Sequence, residues 1–198
     1  MLYSKTSSLH QQLKSATQPI HDALHDHPLM RRLMEPECSL ADYRSILEVF
    51  QRFYAEAEAR FNSLAPKFDG EAPVLAWLRQ DFCAIGGGDD VMESRRDSEK
   101  KKADFSSYLG YLYVKQGSTL GGQVLSRRLG NTLGLSPERG LRFFSSFGEN
   151  TRQNWLYFLR YLEEQLPIIN EAAAVASACE CFLTLEIMLN EAAVETVC

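Results

Sequence analysis

Long hydrophobic runs are missing. No stretch of the 198 residues approaches the roughly 18 uninterrupted apolar positions that a spanning helix needs, so no membrane anchor is expected. The first 30 residues lack a signal-peptide core, because Lys14, His21 and Asp22 interrupt every candidate. Paired cysteine spacing is missing as well. Cys38, Cys83, Cys179, Cys181 and Cys198 are an odd number, and Cys179 and Cys181 point in different directions on a helix. They read as reduced thiols, and the expected location is the cytoplasm. There is no basic excess: 21 Lys and Arg against 26 Asp and Glu leave a net charge of −5, which argues against a nucleic-acid partner. Strand alternation is nearly absent.

Several chemical signatures are absent too. There is no Gly-x-Ser-x-Gly nucleophile elbow, and the Gly117-Ser118-Thr119-Leu120-Gly121-Gly122 run lacks the Gly-Lys-Ser/Thr ending of a phosphate loop. No Cys-x-x-Cys or His-Glu-x-x-His supports a zinc site, and no pair of Glu-x-x-His motifs supports a di-iron bundle. The acidic pairs Glu56/Glu58 and Glu163/Glu164 are expected on solvated helix faces.

What is present is helical periodicity. The chain is 45% hydrophobic and 24% charged, enough for one domain over residues 1–198 with a full core. Leu9, Leu13, Ala16, Ile20 and Leu24 form one stripe, and Pro28 stops or bends that helix. Ser39 and Asp42 resemble a capping box before a long helix carrying Tyr43, Ile46, Leu47, Phe50, Phe53, Tyr54, Ala57 and Phe61. Pro73 suits the first turn of a shorter helix. Gly86 to Asp90 reads as a loop, continued by a solvated stretch at Lys100–Lys102. Asp104 can cap a helix running through to Leu129. Pro137 can open a helix ending near Gly148, Asn150 to Leu166 forms another, and the last runs to about Ala193. The expected fold is all-α and compact, with about seven or eight helices.

Two features stand out. Gly117, Gly121 and Gly122 lie inside a helix, where each costs roughly 1 kcal/mol relative to alanine. Either close helix packing or close backbone approach to a flat ligand, with a kink, would offset that. The second feature is the histidines: His10, His21, His25 and His27 all fall in the first 27 residues, with His21 and His25 on one face. A single neutral imidazole suffices as an axial ligand to haem, which is the metal chemistry these residues supply most simply.

Together the two features resemble one family. Leu13-Lys14-Ser15-Ala16-Thr17-Gln18-Pro19-Ile20-His21 resembles the proximal-helix motif of haem oxygenases, and Gly117 to Leu125 resembles their glycine-rich distal helix. The likeness extends to Tyr54 and, more weakly, to Phe182. It implies a single domain holding haem between a proximal and a kinked distal helix. It implies that His21 ligates the iron, and that Gly117, Ser118, Gly121 and Gly122 form the catalytic distal wall. Lys14, Tyr113, Arg160 and Phe182 are the further haem-binding candidates. The implied reaction cleaves haem, both substrate and cofactor, to biliverdin, iron and carbon monoxide, using oxygen and electrons from an external reductase. Basic clusters at Arg31–Arg32, Lys100–Lys102 and Arg127–Arg128 permit an acidic donor such as a ferredoxin or flavodoxin. A monomer is expected. A haem carrier or sensor with the same pocket is the alternative, and a thiamin-degrading enzyme of similar architecture is a third reading.

The chain departs from mammalian-type members twice. Ser118 stands where they have a distal aspartate, replacing a charge with a neutral hydroxyl. His25 stands where they have a glutamate one turn after the proximal histidine, and a neutral His25 is expected to accept the proximal N–H.

Overall fold

A computed structural model describes residues 8–64, 67–87 and 103–195. No strand occurs among them; two isolated bridges at Ser136 are the sole β pairing described. Helix α1 spans Leu9–Asp26 and opens with a capping box. Ser8 Oγ accepts the Gln11 N–H, and the Gln11 side chain accepts the Ser8 N–H. Leu9, Leu13, Thr17 and Leu24 form its buried stripe, while Ala16 and Ile20 are half-buried. Pro19 sits inside this helix, where it removes one backbone donor two residues before His21.

His27 ends α1 and starts α2 (Pro28–Arg32), its Nδ1 accepting the Leu29 N–H at 3.3 Å. Pro28 therefore opens a short helix as well as closing a long one. Helix α3 (Leu40–Phe61) carries the expected Ser39/Asp42 capping box. Helix α4 (Val74–Ala84) has Pro73 at its N-cap, one position before the first turn.

Helix α5 (Phe105–Leu133) is capped by Asp104, which accepts the Ser107 N–H at 2.8 Å, and it ends at Gly134 in the left-handed conformation. It runs without interruption through Gly117–Gly122. The Ser118 and Thr119 hydroxyls donate back to the carbonyls of Lys115 and Gln116, an arrangement that favours bending.

The expected helix from Pro137 to Gly148 contracts to α6 (Arg142–Ser145). Residues 136–140 form a turn instead, with Gly140 at φ 88° and its carbonyl accepting the Tyr43 hydroxyl at 2.6 Å. A 3-10 turn at Gly148–Asn150 leads into α7 (Thr151–Gln165), and a second at Leu166–Ile168, containing Pro167, leads into α8 (Glu171–Glu195).

Helices α5 and α8 make the central crossing, with α1 and α3 also laid on α8. Gly110 permits that crossing: a Cβ there would overlap the Ala174 carbonyl oxygen. By length and composition α8 is long and apolar enough to cross a membrane, with a mean hydropathy of 1.7. Here Ala174, Ala178, Leu185, Met188 and Leu189 are buried against the other helices. No uninterrupted apolar run marks this helix in the sequence. Glu171, Glu180 and Glu186 break the run without changing the average. The expected loop beyond Gly87 and the Lys100–Lys102 stretch lie outside the described residues.

Candidate functional site

His21 lies on α1, where its side chain is 45% exposed. Its Nδ1 atom is buried and has no hydrogen-bond partner, so the exposure belongs to the rest of the ring. The nearest charged oxygen to Nδ1 is Asp22 Oδ1 at 3.5 Å. Gln18 Nε2 donates to that same oxygen at 2.7 Å and holds the carboxylate in place.

His25 does not take the proximal N–H as expected. One turn along the helix brings it ring against ring, with centroids 4.6 Å apart and the planes 70° apart. Burial, and then the neighbouring His21, lower the His25 pKa. Phe182 of α8 meets the His21 ring edge-on at 5.8 Å. An imidazole with one nitrogen shielded and its other edge open suits single-point metal ligation. Among the described residues no three His, Cys, Asp or Glu side chains group to hold a metal by themselves.

The tie between α1 and α5 is made at Tyr113. Burial raises the pKa of its hydroxyl, while the neighbouring Thr17 side chain, one turn before His21, lowers it. The Thr17 O–H donates to the Leu13 carbonyl at 2.8 Å. His10, Tyr113 and Trp155 form a ring cluster across α1, α5 and α7, with centroids 5.7–6.2 Å apart. Lys14 is exposed beside this cluster, and after burial its charge is the next cause that lowers the His10 pKa. Arg160 sits over the Tyr157 ring at 5.9 Å on the exposed side of α7. No described contact joins it to Lys14, His21 or Ser118.

The three glycines separate. A Cβ on Gly122 would come within 2.7 Å of the Phe144 carbonyl, so packing against α6 requires that glycine. A Cβ on Gly117 would make ordinary contact with Trp155 at 3.9 Å, and one on Gly121 would meet nothing within 4 Å. Gly121 is exposed, so packing gives it no compensation for its helix penalty.

Behind the glycines lies a polar network. Ser118 Oγ donates to the Lys115 carbonyl at 2.8 Å and lies 3.0 Å from the buried Tyr54 hydroxyl. Burial pushes the Tyr54 pKa well up. Lys115 itself is 2% exposed, with its ammonium bound by Glu58 at 2.7 Å and Glu71 at 2.6 Å. Glu58 is therefore an internal ion-pair partner, contrary to the solvated face expected for it, because α3 and α5 close over the Lys115 side chain. Tyr108 donates to Glu71 at 2.7 Å, and burial raises its pKa strongly.

Sequence reasoning missed Asp22, Lys115 and Trp155. Neighbours in sequence normally point apart on a helix, which hides the 21/22 pair. A lone lysine or tryptophan carries no spacing signal at all.

The described residues make an all-α protein that carries an open-edged histidine on one helix and an exposed, unpacked Gly121 on another. A sequence model of the family described as Heme oxygenase matches residues 7–191, so the chain belongs to the haem oxygenase family and is a haem-degrading enzyme. The fold is similar to that of the Neisseria meningitidis haem oxygenase solved with NO and CO bound. The TM-score there is 0.69 at 22% identity, covering 94% of this chain and 92% of that one. The Leptospira interrogans haem oxygenase gives 0.70 at 17% identity, covering 93% and 100%. Haem oxygenase-1 of the cyanobacterium Synechocystis, solved in complex with haem, gives 0.69 at 18% identity, covering 93% and 92%. At these identities the likeness establishes the fold. No match is found among curated protein sequences.

Proposed function

We propose that the residues of α1 and α5 form the two walls of the haem site, with His21 as the iron ligand and the Gly117–Gly122 stretch opposite. The observation that carries this is Gly121: an exposed helical glycine with open space where its Cβ would lie, which a flat ligand would fill. The half-shielded His21 ring supports the other wall. When bound, haem supplies the iron and the ring that is oxidised by dioxygen to biliverdin, releasing iron and carbon monoxide.

The chain's own residues orient that substrate. Phe182 braces the His21 ring, and Asp22 stands ready to hold its Nδ1 proton. Lys14, exposed beside the His10, Tyr113 and Trp155 rings, offers a cation to a propionate, whereas Tyr113 lies beside Thr17 and Arg160 lies over the Tyr157 ring. Ser118 provides a neutral anchor for water.

Electrons come from an external donor with an acidic surface. Arg128 Nε donates to the Met34 carbonyl at 3.1 Å, which brings the Arg127–Arg128 cluster beside the end of α2 and Arg31. Arg32 is already paired with Glu35 and Asp42, so Arg31, Arg127 and Arg128 are the cations left to meet the donor. The proposed setting is the cytoplasm, and the proposed state is a monomer.

The test is single turnover. Purified protein loaded with hemin receives an electron donor in air, with catalase present to remove free peroxide. Loss of the Soret band with growth of a biliverdin spectrum is expected. A stable haem spectrum would replace the reading with a carrier, and failure to form a defined complex would remove His21 from its role.

A further inference from the structure

Asp81 lies on α4, far in sequence from both walls, and is completely buried. Its two oxygens accept the backbone N–H groups of Arg142 and Phe143 at 2.7 and 2.8 Å, the first residues of α6. A four-residue helix cannot hold itself together, because nucleation costs more than one turn returns. Asp81 supplies what α6 lacks by satisfying two of its free N–H groups with one charge. The Arg142 guanidinium lies over Trp77 at 5.2 Å, which ties the same junction back to α4.

What α6 then touches is the glycine stretch. The Phe144 carbonyl lies in the space a Gly122 side chain would need. Ser145 Oγ and Ser126 Oγ are 2.7 Å apart, and Gln123 donates to the Gly148 carbonyl at 2.8 Å. The Phe143 ring packs on Tyr54 at 6.0 Å, and Tyr54 reaches Ser118. The segment from Phe143 to Gly148 thus grips α5 at Gly122, Gln123 and Ser126, and supports Ser118 through Tyr54.

We infer that Asp81 is a positioning residue for the distal wall: by capping α6 it fixes the place and tilt of α5 from Ser118 to Ser126. The link to haem chemistry rests on α5 being that wall. The hold on α5 stands independently of it.

Amide hydrogen exchange on the haem-free protein tests the hold. Asp81→Asn exchanges one acceptor for an amide donor facing a backbone N–H. It is expected to raise exchange at least tenfold for α6 and for α5 amides from Thr119 to Ser126, leaving α1 amides unchanged. Ser126→Ala, which cuts a single tie without touching the cap, should raise exchange over the same α5 stretch by a smaller factor. Unchanged α5 amides in folded Asp81→Asn, or an increase spread evenly over all helices, would overturn the inference. If Asp81→Asn does not fold, Asp81→Glu, which keeps the charge but displaces both acceptors by one methylene, decides by the same criterion.

The carbon monoxide complex of the haem-loaded variants separates the two claims. With α5 as the distal wall, the C–O stretching band shifts while the iron–histidine band of the ferrous form stays in place. Localised exchange with an unmoved C–O band would keep Asp81's hold on α5 and remove α5 from the haem.

Discussion

The Tyr54 hydroxyl donates to Ser118 Oγ across 3.0 Å. That is the one arrangement of the two protons that satisfies both, since Ser118 gives its own to the Lys115 carbonyl. Ser118 is thereby left with a lone pair and no proton to offer, so toward the glycine stretch it is an acceptor, as a carboxylate would be, but uncharged. Removing the Tyr54 hydroxyl frees that geometry. Tyr54→Phe is expected to cost about 1 kcal/mol of stability in urea unfolding. It is expected to slow single-turnover biliverdin formation by up to about tenfold. Tyr54→Phe with Ser118→Ala should lose no more than the worse single change, because both act through one bond. Additive losses would place the two residues in separate roles.

Gly122 serves packing, whereas Gly121 is left open to a ligand. Gly122→Ala is expected to destabilise the haem-free protein by about 1–3 kcal/mol, since its Cβ meets backbone that cannot yield easily. Gly121→Ala is expected to stabilise the haem-free protein by up to about 1 kcal/mol, its Cβ meeting nothing. The same change should weaken hemin binding. Urea unfolding and hemin titration on both variants check the contrast, and equal behaviour would remove the distinction.

On the proximal side, Asp22 is the residue within reach of His21 Nδ1. In the ferrous haem complex, Asp22→Asn is expected to lower the iron–histidine stretching frequency, and His25→Ala to leave it nearly unchanged. The reverse pattern in resonance Raman would return the role to His25. His21→Ala should abolish the imidazole-ligated spectrum altogether.

Burial raises the Asp81 pKa to about 6, against the two N–H groups and Arg142, which lower it; Tyr43 is the other titratable group facing it. The folded value lies above the unfolded 3.8, so between pH 6 and 4 the native state keeps a proton that the unfolded chain releases. This group therefore adds stability as pH falls through that window, by at most about 3 kcal/mol. Measured against Asp81→Asn, the wild type should gain on going from pH 7 to pH 4.5. A pH-independent difference would mean an ordinary carboxylate.

Much of this was legible in the sequence where the signal is local. The caps at Ser39 and Asp104 and the amphipathic stripe of α1 are read from residues three and four apart. The four-residue α6 was overextended because Pro137 and the apolar Leu141, Phe143 and Phe144 imitate a helix start, whereas a tertiary bond from Tyr43 holds Gly140 in a turn. Within the site, spacing alone could not separate Gly122 from Gly121. Their difference is made by Phe144, which no local pattern brings to α5. Lys115 escaped notice for the same reason, since its partners come from α3 and the segment before α4.

The overlap that forbids any side chain at Gly110 also sets a mechanical centre. Where the α5 backbone bears directly on α8 the helix cannot slide, so the tilt of its far half is left to the contacts made by α6. Gly121 stands eleven residues further on, about 16 Å along the axis. A swing of about 5° at the fulcrum carries it through about 1.4 Å, by the geometry of a rigid rod of that length. An error of a few degrees in the hold that α6 keeps on α5 is therefore felt at Gly121 as more than an ångström.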